Sequence, residues 1–271
     1  AIGTDAFQEA PVSAIMGAVA KHVFLVTDPE SLEATMRTAF DLARTGRPGP
    51  VVIDIPKVVQ YWAGKFLGGG ALSLQGYRSR LQAVTENRLD DEACERFYKM
   101  LSESERPLIY AGGGVINGNA TKAMRHLANR YGIPVATTLM ALGASDTKHD
   151  LSLHMLGMHG MAFANYAVED CDFLIAIGAR FDDRVAGDPA YFAPIARNIA
   201  PFDVDVSEIG KVKRVDWHHV GVLARDLEEL LAFGERIEFE KDFATWHKEI
   251  AGLKDRHRLN YDRESELIQP Y

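Results

Sequence analysis

The sequence predicts an α/β protein with a doubly wound, mostly parallel sheet, preceded by part of a second α/β domain. Short apolar runs rich in Val and Ile alternate with amphipathic helical segments along most of the chain, and this alternation is typical of crossover units in a parallel sheet. Several of the runs end in glycines or charged residues. With 271 residues and 47% hydrophobic content, the chain can bury a substantial core.

The first block of the sequence predicts one crossover unit. An amphipathic helical pattern covers 10–21, and an apolar, β-branched run at 23–27 predicts a buried strand. An Asp-Pro-Glu sequence then supplies a cap, a proline and an acidic first turn for a helix over 31–45. A second apolar strand follows at 50–55 and is stopped by a proline. Strand, helix and strand in this order predict a parallel pair.

The rest of the chain predicts a linker and a second, longer alternating block. Residues 60–90 contain three consecutive glycines and little periodicity, which is typical of a linker. The elements predicted after it are helix 90–103, strand 107–111, helix 120–131, strand 134–139, helix 166–169, strand 172–179, strand 198–204, strand 220–223, helix 226–233, and a helix or helix pair over 239–257. The Met/His/Gly-rich segment 151–160 is predicted to be a loop.

Composition excludes several classes of function. The formal net charge of -8, with only a short basic run at 211–214, does not provide the clustered Lys and Arg of a nucleic-acid interface. Cys94 and Cys171 lie far apart and predict neither a disulfide framework nor a metal site, so we expect a reducing, cytoplasmic location. No apolar run has the length of a membrane span. Because the first residues lack an initiator Met and a signal-peptide pattern, we expect the chain to begin inside a domain.

Polar or glycine residues follow four of the predicted strands. Gly112 to Gly114 follow the strand at 107–111, and Thr137-Thr138 close the strand at 134–139. The segment 180–184, with two Arg and two Asp, follows the strand at 172–179, and Asp203-Val204-Asp205 end another strand. Ligands of open α/β sheets bind outside the carboxyl ends of the strands. Together these residues predict a ligand site that can bind phosphate through Arg and sugar hydroxyls through carboxylates.

Each motif by itself also has a structural interpretation. The glycines could form a tight turn, the threonines could cap a turn, and the alternating charges could neutralise one another on a surface loop. His154 and His159 are five residues apart, without acidic or cysteine partners at metal-ligand spacing, so we expect no zinc site. The sequence contains no nucleophile elbow, HExxH or P-loop motif.

Taken together, the motifs resemble the large catalytic subunit of acetohydroxyacid synthases (acetolactate synthases), a thiamine diphosphate enzyme family. The resemblance covers most of the chain, and MLGMHG followed by RFDDR is specific for this family among thiamine enzymes. The matching segments are IGTDAFQE at 2–9, GRPGPVVIDIPK at 46–57, YAGGG at 110–114, ATTLMALG at 136–143, LSLHMLGMHG at 151–160, ANYAVEDCD at 164–172, GARFDDRV at 178–185 and DVDVSEIGK at 203–211.

The resemblance implies a division of the chain into parts of a three-domain subunit. Residues 1–60 would be the C-terminal part of the pyrimidine-binding domain, 61–90 a linker, and 91–235 the central FAD-binding domain. Residues 236–271 would form a helical linker towards a diphosphate-binding domain. The family's catalytic glutamate and its GDG motif for magnesium and diphosphate have no counterpart in these residues. We therefore expect the 271-residue chain alone to lack synthase activity.

The resemblance also implies cofactor and channel residues. FAD would be bound by a set of glycines, hydroxyls, arginines and carboxylates at the strand ends: Arg47, Gly112, Gly113, Asn117, Thr138, Leu139, Met140, Leu156, Gly157, Met158, His159, Gly178, Ala179, Arg180, Asp182, Arg184, Val185, Asp203, Val204, Asp226 and Leu227. Phe7 and Gln8 match a segment that lines the active site. The rim of the substrate channel would contain Lys57, Met158, Asp183 and Arg184.

The activity implied for the complete subunit is condensation of two pyruvates, or of pyruvate and 2-oxobutyrate, with loss of CO2 in branched-chain amino-acid biosynthesis. Thiamine diphosphate and magnesium would supply the chemistry, while FAD would have a structural role without net redox change. The complete enzyme would be a homodimer or homotetramer, with a possible regulatory small subunit and no nucleic-acid or membrane partner. Two alternatives stay open, another FAD-containing thiamine carboligase or decarboxylase such as glyoxylate carboligase, and a non-catalytic dinucleotide-binding module.

One physical consequence concerns the first block. A crossover unit at 1–57 that lacks neighbouring strands leaves apolar sheet edges unpaired. We therefore expect the chain to self-associate through this block, or the block to pack in a non-native way.

Overall fold

The structure, a computed structural model, describes residues 2–260 and 264–267. The chain divides into two compact units, residues 1–84 and 85–271. The predicted terminal segment 236–271 is described only up to residue 260 and over 264–267, and its remaining residues lie outside the described part of the chain.

The first unit contains a parallel two-stranded sheet. Its elements are α1 (Val12–Gly17), β1 (His22–Leu25), α2 (Leu32–Arg44), β2 (Val51–Asp54), α3 (Lys57–Gln60) and the start of α4 (Tyr77–Glu86). His22 pairs with Val51 and Leu25 with Asp54 in parallel register. A small apolar cluster of Phe24 with residues of α2 holds the sheet against the helix. The predicted strand, helix and parallel strand are confirmed.

The segment predicted to be an unstructured linker contains a helix. Residues 61–76 have no regular element, but α4 covers Tyr77–Glu86. None of its residues is fully buried. A helix without a buried face carries no strong hydrophobic periodicity, and for this reason the sequence pattern did not reveal it.

The second unit contains a parallel six-stranded sheet with helices between the strands. Its elements are α5 (Asp91–Glu103), β3 (Pro107–Ala111), α6 (Gly114–Asn117), α7 (Thr121–Tyr131), β4 (Val135–Thr137), β5 (Ser152–Met155), α8 (Ala162–Asp170), β6 (Phe173–Ile177), α9 (Asp183–Ala186), β7 (Asn198–Asp203), β8 (His219–Val220), α10 (Leu223–Arg236) and α11 (Ala244–Arg256). This arrangement confirms the predicted doubly wound α/β fold.

The strand order of this sheet is β5-β4-β3-β6-β7-β8, and every neighbouring pair is parallel. The chain runs outward from β3 to β5 and then returns to place β6 beside β3. The strand order therefore reverses between β3 and β6. All five residues of β3 and all five of β6 are buried, as expected for strands covered by helices on both faces. Ligands of such folds bind at this reversal point, outside the carboxyl ends of the strands.

Several elements of the second unit differ from the sequence prediction. Helix α8 is longer than the predicted 166–169, and the short helices α6 and α9 were not predicted. The predicted loop 151–160 begins with an edge strand, β5, which pairs with β4 through an irregular register. The predicted strand 220–223 ends at Val220, and α10 begins at Leu223 rather than at Asp226. Among the helices of the described residues, none has the length and apolar character needed to cross a membrane.

Candidate functional site

Two glycine turns meet where the strand order reverses. Gly112 follows β3 and donates its N–H to Ile177 O at 2.9 Å, and Gly114 donates to Gly178 O at 3.0 Å. A Cβ on Gly112 would lie 2.1 Å from Gly178 O, and a Cβ on Gly178, which has φ +57°, would lie 2.6 Å from the Cα of Gly114. Any side chain here would collide with backbone, so the glycines allow the two turns to pack directly on each other. The reversal point is thereby lined with backbone instead of side chains.

The end of β4 places an unsatisfied hydroxyl beside exposed apolar side chains. Thr138 N–H donates to Ala111 O at 2.9 Å, while the Thr138 Oγ1 atom is buried without a hydrogen-bond partner. It does not cap the 3-10 turn that follows. Leu139 and Met140 in that turn are 66% and 71% exposed. A buried polar atom without a partner costs free energy unless a ligand or water supplies one.

The turn after β6 turns its charged side chains outward and its aromatic residue inward. Phe181 has φ +57° and is buried, with its ring 5.3 Å from that of Tyr110 and 6.0 Å from that of Phe192. The neighbouring Arg180 and Asp182 side chains are 54% and 39% exposed, and their charged atoms lie 3.6 Å apart. The left-handed backbone at Phe181 therefore directs both charged neighbours to solvent while the ring anchors the turn.

The hydroxyl of Tyr110, whose ring contacts Phe181, stays neutral. Burial raises the pKa of Tyr110 well above its ordinary value, and the nearby Asp182 carboxylate raises it further. Asp182 also begins α9, where its Oδ1 accepts a hydrogen bond from the N–H of Arg184 at 3.1 Å. Both carboxylates of this segment, Asp182 and the exposed Asp183, lie in or beside the first turn of a four-residue helix.

The loop after β5 contacts the same segment. Met158 N–H donates to Arg184 O at 2.9 Å, and the Arg184 guanidinium lies 3.9 Å from the Met158 sulfur. Gly157, at φ +96°, could not carry a Cβ, which would lie 2.7 Å from Arg184 O. Met158 and His159 are exposed, and Leu156 is buried. The structure thus brings the predicted loop 156–159 and the predicted segment 180–185 together.

The end of β7 contributes a buried carboxylate. Asp203 is 8% exposed, and its Oδ1 accepts hydrogen bonds from the N–H groups of Val204 and Asp205 at 2.8 and 2.9 Å. Burial raises the pKa of Asp203, although the two N–H donors oppose the shift. The Asp203 carbonyl accepts from Gly221 N–H at 2.9 Å, which joins this end to the turn after β8.

Asp226 and Leu227 are buried near the start of α10. Both have 0% exposure, because α10 begins earlier than predicted and they face inward from its first two turns. Asp226 Oδ1 accepts from the Arg225 guanidinium at 2.6 Å, and its Oδ2 lies 3.3 Å from Nε2 of buried His219. Val222, 36% exposed, is the side chain that follows β8 at the carboxyl edge. Both side chains are enclosed in the structure, and their role as FAD contacts, which the resemblance implies, stays a prediction.

The remaining predicted residues fall into two groups. In the second unit, Asn117 is exposed at the end of α6, Gly113 packs at the reversal point, Ala179 is buried, and Val185 is half-buried in α9. In the first unit, four predicted residues are exposed: Phe7, Gln8, Arg47 and Lys57.

Two of these four residues of the first unit have a specific local feature. Gln8 has a left-handed φ of +66°, and the Lys57 ammonium lies 5.6 Å from the centroid of the Tyr61 ring.

Two residues that support the site were missed by sequence reasoning. Phe181 lies inside a quoted motif, but its inward orientation depends on a left-handed backbone that its residue type does not favour. Asn165 lies in α8, eight residues after Gly157, yet its side chain hydrogen-bonds both backbone groups of that glycine. In the sequence, the available sign of its importance is its position in the segment ANYAVEDCD at 164–172, which matches the acetohydroxyacid synthase pattern. Within residues 2–260 and 264–267, no group of three or more His, Cys, Asp or Glu side chains could hold a metal ion.

Comparison with known proteins gives one family match and several longer relatives. The family model described as "Thiamine pyrophosphate enzyme, central domain" matches residues 94–230. The chain is 43% identical to the acetolactate synthase large subunit of Corynebacterium glutamicum, over 99% of the chain and 42% of that protein. It is 40% identical to the chloroplastic acetolactate synthase 1 of Nicotiana tabacum, over 99% of the chain and 40% of that protein.

An archaeal relative gives the same result. The probable acetolactate synthase large subunit of Methanocaldococcus jannaschii is 43% identical, over 99% of the chain and 45% of that protein. The resemblance to acetolactate synthase large subunits is confirmed. The chain spans about two fifths of the length of the curated relatives that it matches. On the match to more than half of its residues, the chain belongs to the thiamine pyrophosphate enzyme family, with the central domain of that family at residues 94–230.

Proposed function

We propose that the carboxyl edge of the six-stranded sheet binds FAD. The observation that carries the proposal is the meeting of two glycine turns at the reversal of strand order, with exposed arginines and a buried carboxylate on neighbouring strand ends. Dinucleotides bind at such points because backbone can approach a diphosphate closely and a carboxylate can hold a ribose hydroxyl.

The chemistry of the residues fits the parts of FAD. The Arg180 guanidinium suits the diphosphate, and the glycine turns admit its close approach. Asp203 and Asp182 suit ribose and ribityl hydroxyls as hydrogen-bond acceptors. The buried Thr138 hydroxyl lacks a partner that a ligand could supply. The exposed side chains of Leu139, Met140 and Met158 would offer apolar surface to the flavin ring. The buried Leu156 and the backbone of Gly157, Gly178, Ala179 and Val204 would lie behind or beside it.

The remaining predicted FAD contacts are Arg47, Gly112, Gly113, Asn117, His159, Arg184, Val185, Asp226 and Leu227.

We propose that the complete protein is an acetolactate synthase that condenses two pyruvates, or pyruvate and 2-oxobutyrate, with loss of CO2. The names of the relatives support this proposal. Thiamine diphosphate with magnesium would supply the carbon–carbon bond chemistry when bound. FAD would order the loops of the carboxyl edge without net redox change.

In this proposal the chain's own residues position the 2-oxo acids. Lys57 and Arg184 carry exposed cations that suit a substrate carboxylate. Within the second unit, Met158 and Asp183 would belong to the channel rim with Arg184. Within the first unit, Lys57 would be a rim residue, and Phe7 and Gln8 would line the active site.

Several broader features belong to the same proposal. The domains would be bounded at 1–60, 61–90, 91–235 and 236–271. The complete protein would form a homodimer or homotetramer, with a regulatory small subunit as a further partner. A reducing cytoplasmic location is supported by two free, buried cysteines, Cys94 and Cys171.

A titration of the 271-residue chain tests the FAD proposal. FAD at about 100 times its dissociation constant should raise the free energy of unfolding by about 2.7 kcal/mol, whereas NAD should not. Stabilisation by NAD and not by FAD would contradict the proposal.

A pair of arginine variants then locates the site. Arg180→Ala removes a cation from the carboxyl edge and should weaken FAD binding by about tenfold or more. Arg197→Ala removes an exposed arginine just before β7, at the opposite edge, and should leave the affinity within about twofold of wild type. Fluorescence titration of FAD gives both constants. Equal losses in the two variants would mean that the ligand does not bind at the carboxyl edge.

A further inference from the structure

One side chain of α8 hydrogen-bonds both backbone groups of a single glycine. Asn165 Oδ1 accepts from Gly157 N–H at 2.8 Å, and Asn165 Nδ2 donates to Gly157 O at 3.1 Å. Asn165 is half-buried in a helix whose Phe163, Ala164 and Ala167 pack in the core. A core-packed helix thus fixes the position of a loop residue through one donor and one acceptor of a single amide.

Gly157 in turn fixes two side chains of the proposed cofactor edge. Its φ of +96° is a conformation that suits glycine, and a Cβ would lie 2.7 Å from Arg184 O. The next residue, Met158, donates its N–H to that same oxygen at 2.9 Å. Holding Gly157 in place therefore holds Met158 beside Arg184, with the Arg184 guanidinium 3.9 Å from the Met158 sulfur.

We infer that Asn165 is a positioning residue of the carboxyl edge, which holds Gly157 so that Met158 and Arg184 are presented together to the flavin cofactor. The inference rests on the proposed FAD site and deepens it. Asn165 itself contacts backbone and would not contact the ligand. Its effect on binding would be transmitted through the loop 156–160 and the start of α9.

Hydrogen bonding to both backbone groups of Gly157 requires a donor and an acceptor on one short side chain. A leucine has the shape of asparagine but neither function. A carboxylate can accept from Gly157 N–H but cannot donate to Gly157 O, and the two oxygens would repel each other. A protonated carboxyl group has both functions again. Asn165→Asp should therefore be defective when its carboxyl is ionised and should recover when it is protonated.

The first experiment measures FAD affinity against pH. Asn165→Leu should bind FAD about tenfold more weakly than wild type at every pH. Asn165→Asp should be about tenfold weaker at pH ~8 and should approach wild type towards pH ~4.5, since the facing carbonyl and partial burial raise the pKa of the new carboxyl. Glu169→Gln, on an exposed residue one turn later in α8, should match wild type throughout.

Charged or titratable groups in the loop, on α8 and on the elements packed against them include Arg184 in α9, His159 in the loop, Glu169 and Asp170 in α8, His154 in β5, Lys254 in α11 and His257 directly after it. Each affinity is therefore divided by the wild-type value at the same pH, which removes their contributions. A merely structural role would lower the melting temperature of both variants without a pH-dependent recovery of binding in Asn165→Asp. That result would overturn the inference.

A second measurement separates this inference from the FAD proposal. Amide hydrogen exchange at Gly157 and Met158 should accelerate in Asn165→Leu by about tenfold, while exchange in β6 stays unchanged. Faster exchange together with no FAD binding by wild type would support the positioning of the loop and refute the FAD site. Unchanged exchange and unchanged affinity would overturn the inference while leaving the FAD site intact.

Discussion

At the amino ends of β3 and β6, charged residues are satisfied by neighbours, whereas at the carboxyl ends of the same strands they extend into solvent. The Asp172 carboxylate accepts from Ser104 Oγ at 2.5 Å and from the N–H groups of Glu105 and Arg106 at 2.9 and 3.0 Å. Arg106 pairs with Glu249 at 3.0 Å. These groups hold the sheet to the segments around it.

The carboxyl edge has the opposite character. Arg180 is more than half exposed, the Thr138 hydroxyl is buried without a partner, and the Asp203 carboxylate is buried at a cost. The buried hydroxyl and the buried carboxylate lower stability, and such features are retained where a ligand compensates for them. The comparison teaches that similar residue types at two edges of one sheet serve stability at one edge and binding at the other.

The largest loss of stability should come from adding a side chain where the two glycine turns meet. Gly178→Ala would place a Cβ 2.6 Å from Gly114 Cα at a left-handed φ of +57°, so we expect a loss of about 3 kcal/mol or more in the free energy of unfolding. Gly210→Ala is the control, because Gly210 has φ +70° and nothing within 4 Å, and it should lose only about 1 kcal/mol. Urea unfolding measures both. Equal losses would show that the close approach of the turns is not what requires glycine.

The second effect should change stability without changing binding. Asp172→Ala leaves Ser104 and two backbone N–H groups without their acceptor, which should cost about 2–4 kcal/mol. FAD affinity, measured where the variant is folded, should stay within about twofold of wild type.

Asp170→Ala, at the exposed end of α8, should cost less than about 0.5 kcal/mol. A clear loss of FAD affinity in Asp172→Ala would contradict the assignment of stability to the amino edge and of binding to the carboxyl edge.

The smallest effect should be a gain in stability at the carboxyl edge. Burial raises the pKa of Asp203 in the folded state, so its ionised form costs folding free energy that is absent below the unfolded pKa and is fully present above the folded one. Asp203→Asn keeps an acceptor for Val204 and Asp205 and removes this cost. It should gain about 0.5 kcal/mol near pH 7 and nothing at acidic pH, while FAD affinity falls.

Unfolding experiments between pH 3.5 and pH 7.5 (~0.5-unit steps) measure the difference between variant and wild type. If the stability gain of Asp203→Asn over wild type decreased as the pH rises, the prediction would be contradicted. Glu169→Gln should show no such dependence.

The sequence was most informative where strands are buried on both faces. The runs at β3 and β6 are uninterrupted and apolar, and the sequence predicts ligand-binding residues directly after each of them. β5 was missed because it lies at the sheet edge, has an irregular register and contains His154 with φ +56°.

The late start predicted for α10 has a local cause. Val222 precedes α10 without a side-chain cap, so no Ser, Thr, Asp or Asn marks the start of the helix. The first acidic residue, Asp226, lies three residues inside the helix. Asn165 could not be interpreted for a different reason, since its role depends on which loop folds back onto α8.

The enclosed Asp226 illustrates how tolerance to substitution can mislead. Arg225, which pairs with it, also donates to the carbonyls of Thr85 and Asn87, so loss of the carboxylate would disturb a buried charge and its neighbours. A survey of all single substitutions scored by growth would rank Asp226 with the residues that bind ligand. Only a score that separates protein abundance from activity per molecule would distinguish a structural role of Asp226 from the predicted contact with FAD.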